Sequence, residues 1–288
     1  MKEMRRGSPR RVPDGTLAGM AHTLTRRTVL TAAAGIAGVG LVGGLAARQL
    51  AGPRPGPAPD LPDAPPGDER LIRIASAARG REVDFWTAVP DGYGDGRGLP
   101  VCLVLHGASA TPRDYGRFGL ARFLTDAVRR GAPPFALAGA TGGRLSWRAS
   151  GDDDPQRMVR EEVPTWCARR GFDSSRLAVW GWSMGGFGAL LLAQTYPKWL
   201  RMAAAFSPAV SPGDAVFTGV EKLRGTPVGL WCGRQDNFLK DVRALARVLP
   251  EEPVRAAWAD GRHNFGYWGT VIPDAFALIG AALSPPRT

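Results

Sequence analysis

A serine, a histidine and a set of aspartates in this chain stand at positions that suit acyl-group chemistry. Gly181-Trp182-Ser183-Met184-Gly185 has the Gly-x-Ser-x-Gly form that presents a serine hydroxyl as a nucleophile. By composition alone the pattern says little: with 38 glycines in 288 residues, about 0.2 chance matches are expected. Its surroundings say more. The apolar run Leu177-Ala178-Val179-Trp180 leads in and Met184 to Leu192 leads out as a helix, so Ser183 falls on a strand-to-helix turn. Glycines there permit a strained serine and a close approach of two backbones. The free N–H groups and positive dipole end of the following helix would face a developing oxyanion.

A serine hydroxyl is a poor nucleophile until a base takes its proton, and histidine suits that task near neutral pH. Of the three histidines, His22 lies in a basic N-terminal segment and His106 in a different motif, which leaves His263 in Asp260-Gly261-Arg262-His263-Asn264-Phe265. A carboxylate between serine and histidine in chain order would orient the imidazole. Asp236, just after the apolar run Pro227 to Cys232, is the best match, with Asp214, Asp241 and Asp260 as competitors. The run Val101 to Leu105 ends in His106-Gly107-Ala108-Ser109, so the backbone N–H groups of Met184 and Ala108 are expected to form an oxyanion hole. Trp147, Trp182, Phe238, Phe265 and Trp268 are candidate linings of an acyl pocket, although an aromatic is more often core. Asp152-Asp153-Asp154 lacks the alternating spacing of a calcium loop and reads as a solvated acidic turn, and Glu161 and Glu162 read as surface helix charge. No metal site and no cofactor are expected.

Positioning such groups requires strands that end together. From Glu69 onward, short apolar runs alternate with helical stretches, the pattern of an α/β fold with a mostly parallel sheet covered on both faces. Strands are expected near 71–75, 82–89, 100–106, 135–140, 177–182, 202–206, 227–232 and 254–259. Helices are expected near 117–130, 156–170, 184–195, 238–249 and 271–283. Only about 20 residues separate Phe206 from the strand near Pro227, which leaves no room for a large lid.

The formal charge of +11 is concentrated at the start, because residues 1–50 hold 8 Lys and Arg against 2 Asp and Glu. The remaining basic residues are dispersed without interleaved aromatics, which argues against a nucleic-acid partner. Thr25-Arg26-Arg27-Thr28-Val29-Leu30 before an Ala- and Gly-rich apolar run resembles a twin-arginine export signal, so residues 1–51 are expected to be a signal or anchor, with membrane association through that segment as one consequence. Residues 52–68 read as a proline-rich linker and 69–288 as the catalytic domain. Cys102, Cys167 and Cys232 are an odd count, and with Cys102 and Cys232 inside apolar strand-like runs they read as buried thiols rather than disulfides.

Taken together, Gly181 to Gly186, the His106-Gly107 turn, Gly233-Arg234-Gln235-Asp236 and Gly261-Arg262-His263-Asn264-Phe265-Gly266-Tyr267-Trp268 resemble the putative esterase family that contains esterase D (S-formylglutathione hydrolase) and the secreted bacterial mycolyltransferases. The resemblance covers about residues 85–283. It implies the α/β-hydrolase fold, a Ser183, Asp236, His263 triad, and action on a small-molecule, lipid or polysaccharide acyl ester. Hydrolysis through an acyl-enzyme is the leading expectation. Transfer of the acyl group to a sugar alcohol, in the manner of mycolyltransferases, is the alternative, and an inactive exported binding protein is the remote one.

Overall fold

The computed structural model describes residues 60–285. The segment expected to be an export signal or anchor and most of the expected linker lie outside the described residues. Eight strands form one sheet: β1 (Asp68–Ser76), β2 (Arg81–Val89), β3 (Pro100–Leu105), β4 (Ala136–Ala140), β5 (Asp173–Trp182), β6 (Ala203–Phe206), β7 (Val228–Gly233) and β8 (Arg255–Ala259). Their order is β1-β2-β4-β3-β5-β6-β7-β8. β1 and β2 pair antiparallel, β2 joins β4 antiparallel, and every later pairing is parallel. The mostly parallel sheet is the one expected from the alternation of apolar runs and helical stretches, and the architecture is the α/β-hydrolase fold that the resemblance implied.

The parallel strands read as unbroken apolar runs because both of their faces are covered. Successive side chains point to opposite faces. Thus Val101, Leu103 and Leu105 of β3 join Leu177 and Val179 of β5 in one core layer, while Cys102 and Val104 join Ala178, Trp180 and Trp182 in the other. Helices α2 (Val163–Arg169), α3 (Met184–Thr195) and α5 (Leu239–Val248) cover the first layer. The second is covered by α1 (Leu120–Arg129) and α6 (Phe265–Leu283). Between β6 and β7 there is only the four-residue α4 (Ala215–Thr218) and a 3₁₀ turn at Val220–Leu223, so no lid domain is inserted there.

Two helices depart from expectation. The stretch expected as one helix over 156–170 is broken into a turn at Pro155–Arg157, a π-turn at Met158–Glu162, and α2. Pro164 has no N–H to continue the α-helical ladder, and a π-turn absorbs the mismatch. α6 begins at Phe265, six residues before the expected start, because the Asn264 side chain accepts the Tyr267 N–H at 3.3 Å and caps it. The tail of the linker also packs on the domain: Ala64 is buried, and Arg122 donates to its carbonyl at 3.0 Å.

Candidate active site

Because β3, β5, β6, β7 and β8 are adjacent and parallel, the turns that follow them lie along one edge of the sheet. Ser183 follows β5 as the N-cap of α3, with φ 55° and ψ −121°. A side chain in that region is strained, and such strain persists only where the surroundings enforce it. Here the enforcement is backbone hydrogen bonding: Ser183 N donates to Phe206 O at 2.9 Å, and Ser183 O accepts from Phe187 N and Ala209 N, both at 3.0 Å. The flanking glycines are steric necessities. A Cβ on Gly185 would lie 1.8 Å from Leu105 O, and one on Gly181 would lie 2.3 Å from Gly185 O.

His263, after β8, and Asp236, after β7, meet through Nδ1 and Oδ2 at 2.8 Å. The Asp236 side chain is wholly buried. Burial alone would raise its pKa, but hydrogen bonds from His263 and the Phe238 N–H outweigh that and hold it below the ordinary carboxylate value. An ionised carboxylate accepts the Nδ1 proton, which leaves the Nε2 lone pair of the neutral ring available as a base. Nε2 is buried and has no hydrogen-bond partner among the described residues. The ring itself is held between aromatics, with Phe238 at 5.2 Å and Trp268 edge-on at 4.9 Å between centroids. Two of the three competing aspartates have other tasks, and Asp241 lies in the first turn of α5. Asp214 caps α4 by accepting Val216 N at 2.8 Å and Phe217 N at 3.1 Å, and Asp260 pairs on the surface with Arg234 at 3.3 Å.

Met184 opens α3 and Ala108 lies in the turn after β3, so both candidate oxyanion donors are at the same sheet edge as Ser183. The Ala108 turn is pinned by His106. That ring is wholly buried, its Nδ1 donates to Gly107 O at 2.9 Å, and its Nε2 accepts Gly142 N at 2.9 Å. Burial lowers its pKa to about 4, so it is neutral at ordinary pH and fixes the β3 turn to the loop after β4. Trp147 completes the fastening by donating Nε1 to His106 O at 3.2 Å.

The sequence matches the family described as putative esterase over residues 76–259, well over half the chain. The chain belongs to the putative esterase family. A ferulic acid esterase has a similar structure, with TM-score 0.65 and 17% identity, covering 75% of this chain and 98% of that one. An S-formylglutathione hydrolase from Agrobacterium tumefaciens is alike at TM-score 0.65 and 17% identity, covering 78% and 99%. A probable dipeptidyl-aminopeptidase B of Pyrenophora tritici-repentis (strain Pt-1C-BFP) is 32% identical over 85 residues, which is 28% of this chain and 9% of that protein. This chain thus spans about a tenth of the length of that relative.

In this member of the family several residues expected at the substrate have other surroundings. Trp147 is only 1% exposed and lies in the core, against Gly142 and Gly188, where an added Cβ would meet its ring at 2.4 and 2.5 Å. Trp182 is also core, in contact with Tyr115, Phe118, Trp180, Phe265 and Trp268. Phe265 stacks on Phe118 at 3.8 Å. Phe238 and Trp268 pack against the His263 ring. The aspartate triplet is more than a solvated turn, because Asp153 pairs with the buried Arg79 and with Arg81, and Asp154 caps Arg157 N at 2.9 Å. Glu162 is not free surface charge, since it accepts Ser76 Oγ at 2.5 Å and Ala78 N at 2.9 Å and so anchors the β1–β2 turn. All three cysteines are buried and free, and burial pushes Cys167 and Cys232 up to about 12. Ser207 was not foreseen at all. It is a lone serine just after β6, and only its neighbours in space reveal that its hydroxyl accepts the Trp268 Nε1–H at 3.0 Å.

Proposed function

We propose that this esterase is an exported carboxylic-ester hydrolase that works through an acyl-enzyme on Ser183. The observation that carries the reading is the 2.8 Å contact between His263 Nδ1 and Asp236 Oδ2, at the same sheet edge as the strained turn that holds Ser183. His263 Nε2 takes the Ser183 hydroxyl proton as Oγ attacks the acyl carbon. The tetrahedral oxyanion accepts hydrogen bonds from the N–H groups of Met184 and Ala108. Collapse breaks the bond to the alkoxide, which leaves as the alcohol with the proton from His263. A water then loses a proton to His263 and attacks the acyl carbon; collapse breaks the bond to Ser183 Oγ, which takes the proton back from His263, and the carboxylic acid is released. The substrate class is an acyl ester of a small molecule, lipid or polysaccharide, and the twin arginines Arg26 and Arg27 support a site of action outside the cytoplasm.

A chromogenic ester and a fluorophosphonate probe test this. Wild type should turn over the ester and carry the label on Ser183, and Ser183→Ala should lose the label and at least about 10⁴-fold in kcat with its fold intact. Near-wild-type activity in Ser183→Ala moves the nucleophile elsewhere. Product analysis with a sugar acceptor present should yield free acid; acylated sugar as the main product would make the enzyme a transferase. For export, Arg26→Lys with Arg27→Lys should retain the protein in the cytoplasm, and unchanged secretion would remove the twin-arginine assignment.

A further inference from the structure

β1 is an edge strand, and Arg70, Ile72 and Ile74 alternate onto one sheet face, beside Phe85 and Thr87 of β2. α2 shares that face but packs on β4 and β5, which leaves a trough of about 250 Å³ between it and β1. Phe85 and Trp166, edge to face at 5.2 Å, form the floor, and Ile74 and the half-exposed Ile72 form the strand-side wall. Arg70, Arg169 and Arg170 stand at one end. The trough continues past Ile74 into a cleft of about 770 Å³ near Ser76, and past Arg169 into one of about 300 Å³ near Arg97. From Arg70 to Ser76 the groove follows the strand for about 20 Å. The charges along it are unevenly spent. Asp68 pairs with Arg70 at 2.9 Å and with Arg170 at 3.0 Å, and Asp95 lies 3.9 Å from Arg97. Arg169 lines all three spaces and has no ion-pair or hydrogen-bond partner among the described residues. At the far end Glu82, Glu161 and Glu162 outnumber Arg81, so only the Arg169 end is suited to an anion.

An apolar wall with one uncommitted guanidinium at its end selects an amphipathic anion. Phe85 and Trp166 are too deeply buried to offer the open ring face on which a sugar or a base would stack. We propose that the groove is a second binding site, which takes a fatty carboxylate with its head group on Arg169 and its alkyl chain along Ile72, Ile74 and Trp166. β1 stands four strand spacings, about 19 Å, from β5, whose end carries Ser183. The groove is therefore separate from the catalytic edge, and the proposal stands without the reading of Ser183 as the nucleophile.

Isothermal titration calorimetry of the full chain with dodecanoate provides the test, with acetate and dodecyltrimethylammonium as probes that lack the chain or reverse the charge. Dodecanoate should bind saturably with Kd below about 1 mM, and neither control should bind. Arg169→Glu and Ile72→Asp each place a carboxylate in the groove and should raise Kd at least about tenfold, with circular dichroism unchanged. Arg169→Gln removes only the charge and should weaken binding in the same direction, so it guards against a folding failure in the other two. Equal binding of dodecyltrimethylammonium would overturn the charge selection. Dodecanoate binding that survives all three substitutions would put the ligand in the catalytic cleft or elsewhere and overturn the groove assignment. No binding by wild type would overturn the site outright, and a dimer in light scattering that Ile72→Asp dissolves would then give the groove to a second copy of the chain.

Discussion

At the scale of single residues, chemistry and strain meet at Ser183, Asp236 and His263. Ser183 is held at positive φ by three backbone hydrogen bonds at the junction of strand and helix. Asp236 must stay ionised while wholly buried, and its donors achieve that. Asp236→Asn keeps an acceptor for the Phe238 N–H, so the fold should survive, but the amide supports the wrong histidine tautomer. A kcat loss on the order of 10⁴ with unchanged melting behaviour is the expected result, and a loss below tenfold would assign the orienting role to another group. Of these three residues the histidine was the most legible from sequence, since only one of three histidines stood after a late strand. The aspartate was less so, because four candidates fit the chain order and only hydrogen bonding separates them.

At the scale of elements, the interlock between α3 and the loop after β4 positions the oxyanion turn. The loop carries two consecutive non-glycine residues at positive φ, Ser146 at 52° and Trp147 at 56°, and the Trp147 indole is set against Gly142 and Gly188. Gly188 therefore serves the packing of that loop, although from sequence it reads as part of a Gly-rich helix start. Gly188→Ala places a Cβ 2.5 Å from the indole and should destabilise the protein by about 1–3 kcal/mol in urea titration. In a Trp147→Leu background the same change should cost measurably less, and a strictly additive cycle would show that the indole is not the obstacle. The break before α2 and the early start of α6 were illegible for related reasons: Pro164, Gly266, Gly269 and Pro273 disrupt the apolar periodicity that marks a helix, while the π-turn and the Asn264 cap restore its backbone bonds.

At the scale of the whole molecule, global stability is tied to the protonation of a residue that takes no part in the proposed chemistry. His106 is buried neutral with a pKa lowered to about 4, against an ordinary value of 6.5. A depressed folded-state pKa means that the unfolded chain binds the proton more readily. The contribution is complete above pH 6.5 and is lost as pH falls from 6.5 toward 4, on the order of 3 kcal/mol in all. Asp68, Asp153, Asp173 and Asp236, whose pKa values are lowered from 3.8, add losses below that window. Unfolding midpoints in urea at stepped pH should decline across it, and His106→Gln, which still accepts from Gly142 N–H, should flatten the decline. An unchanged slope in that variant would assign the acid sensitivity to other groups. The sequence by itself determined the strand order of chemistry: apolar runs of strand length ending in serine, aspartate and histidine motifs suffice, because parallel strands covered on both faces have a recognisable composition and end at one edge. It also determined the family. Only the tertiary structure decided which aromatics are core, which aspartate meets the histidine, and that the Trp268 indole packs on His263 and donates to Ser207. Those contacts join residues 27 to 61 positions apart, and no local periodicity encodes a hydrogen bond between two loops.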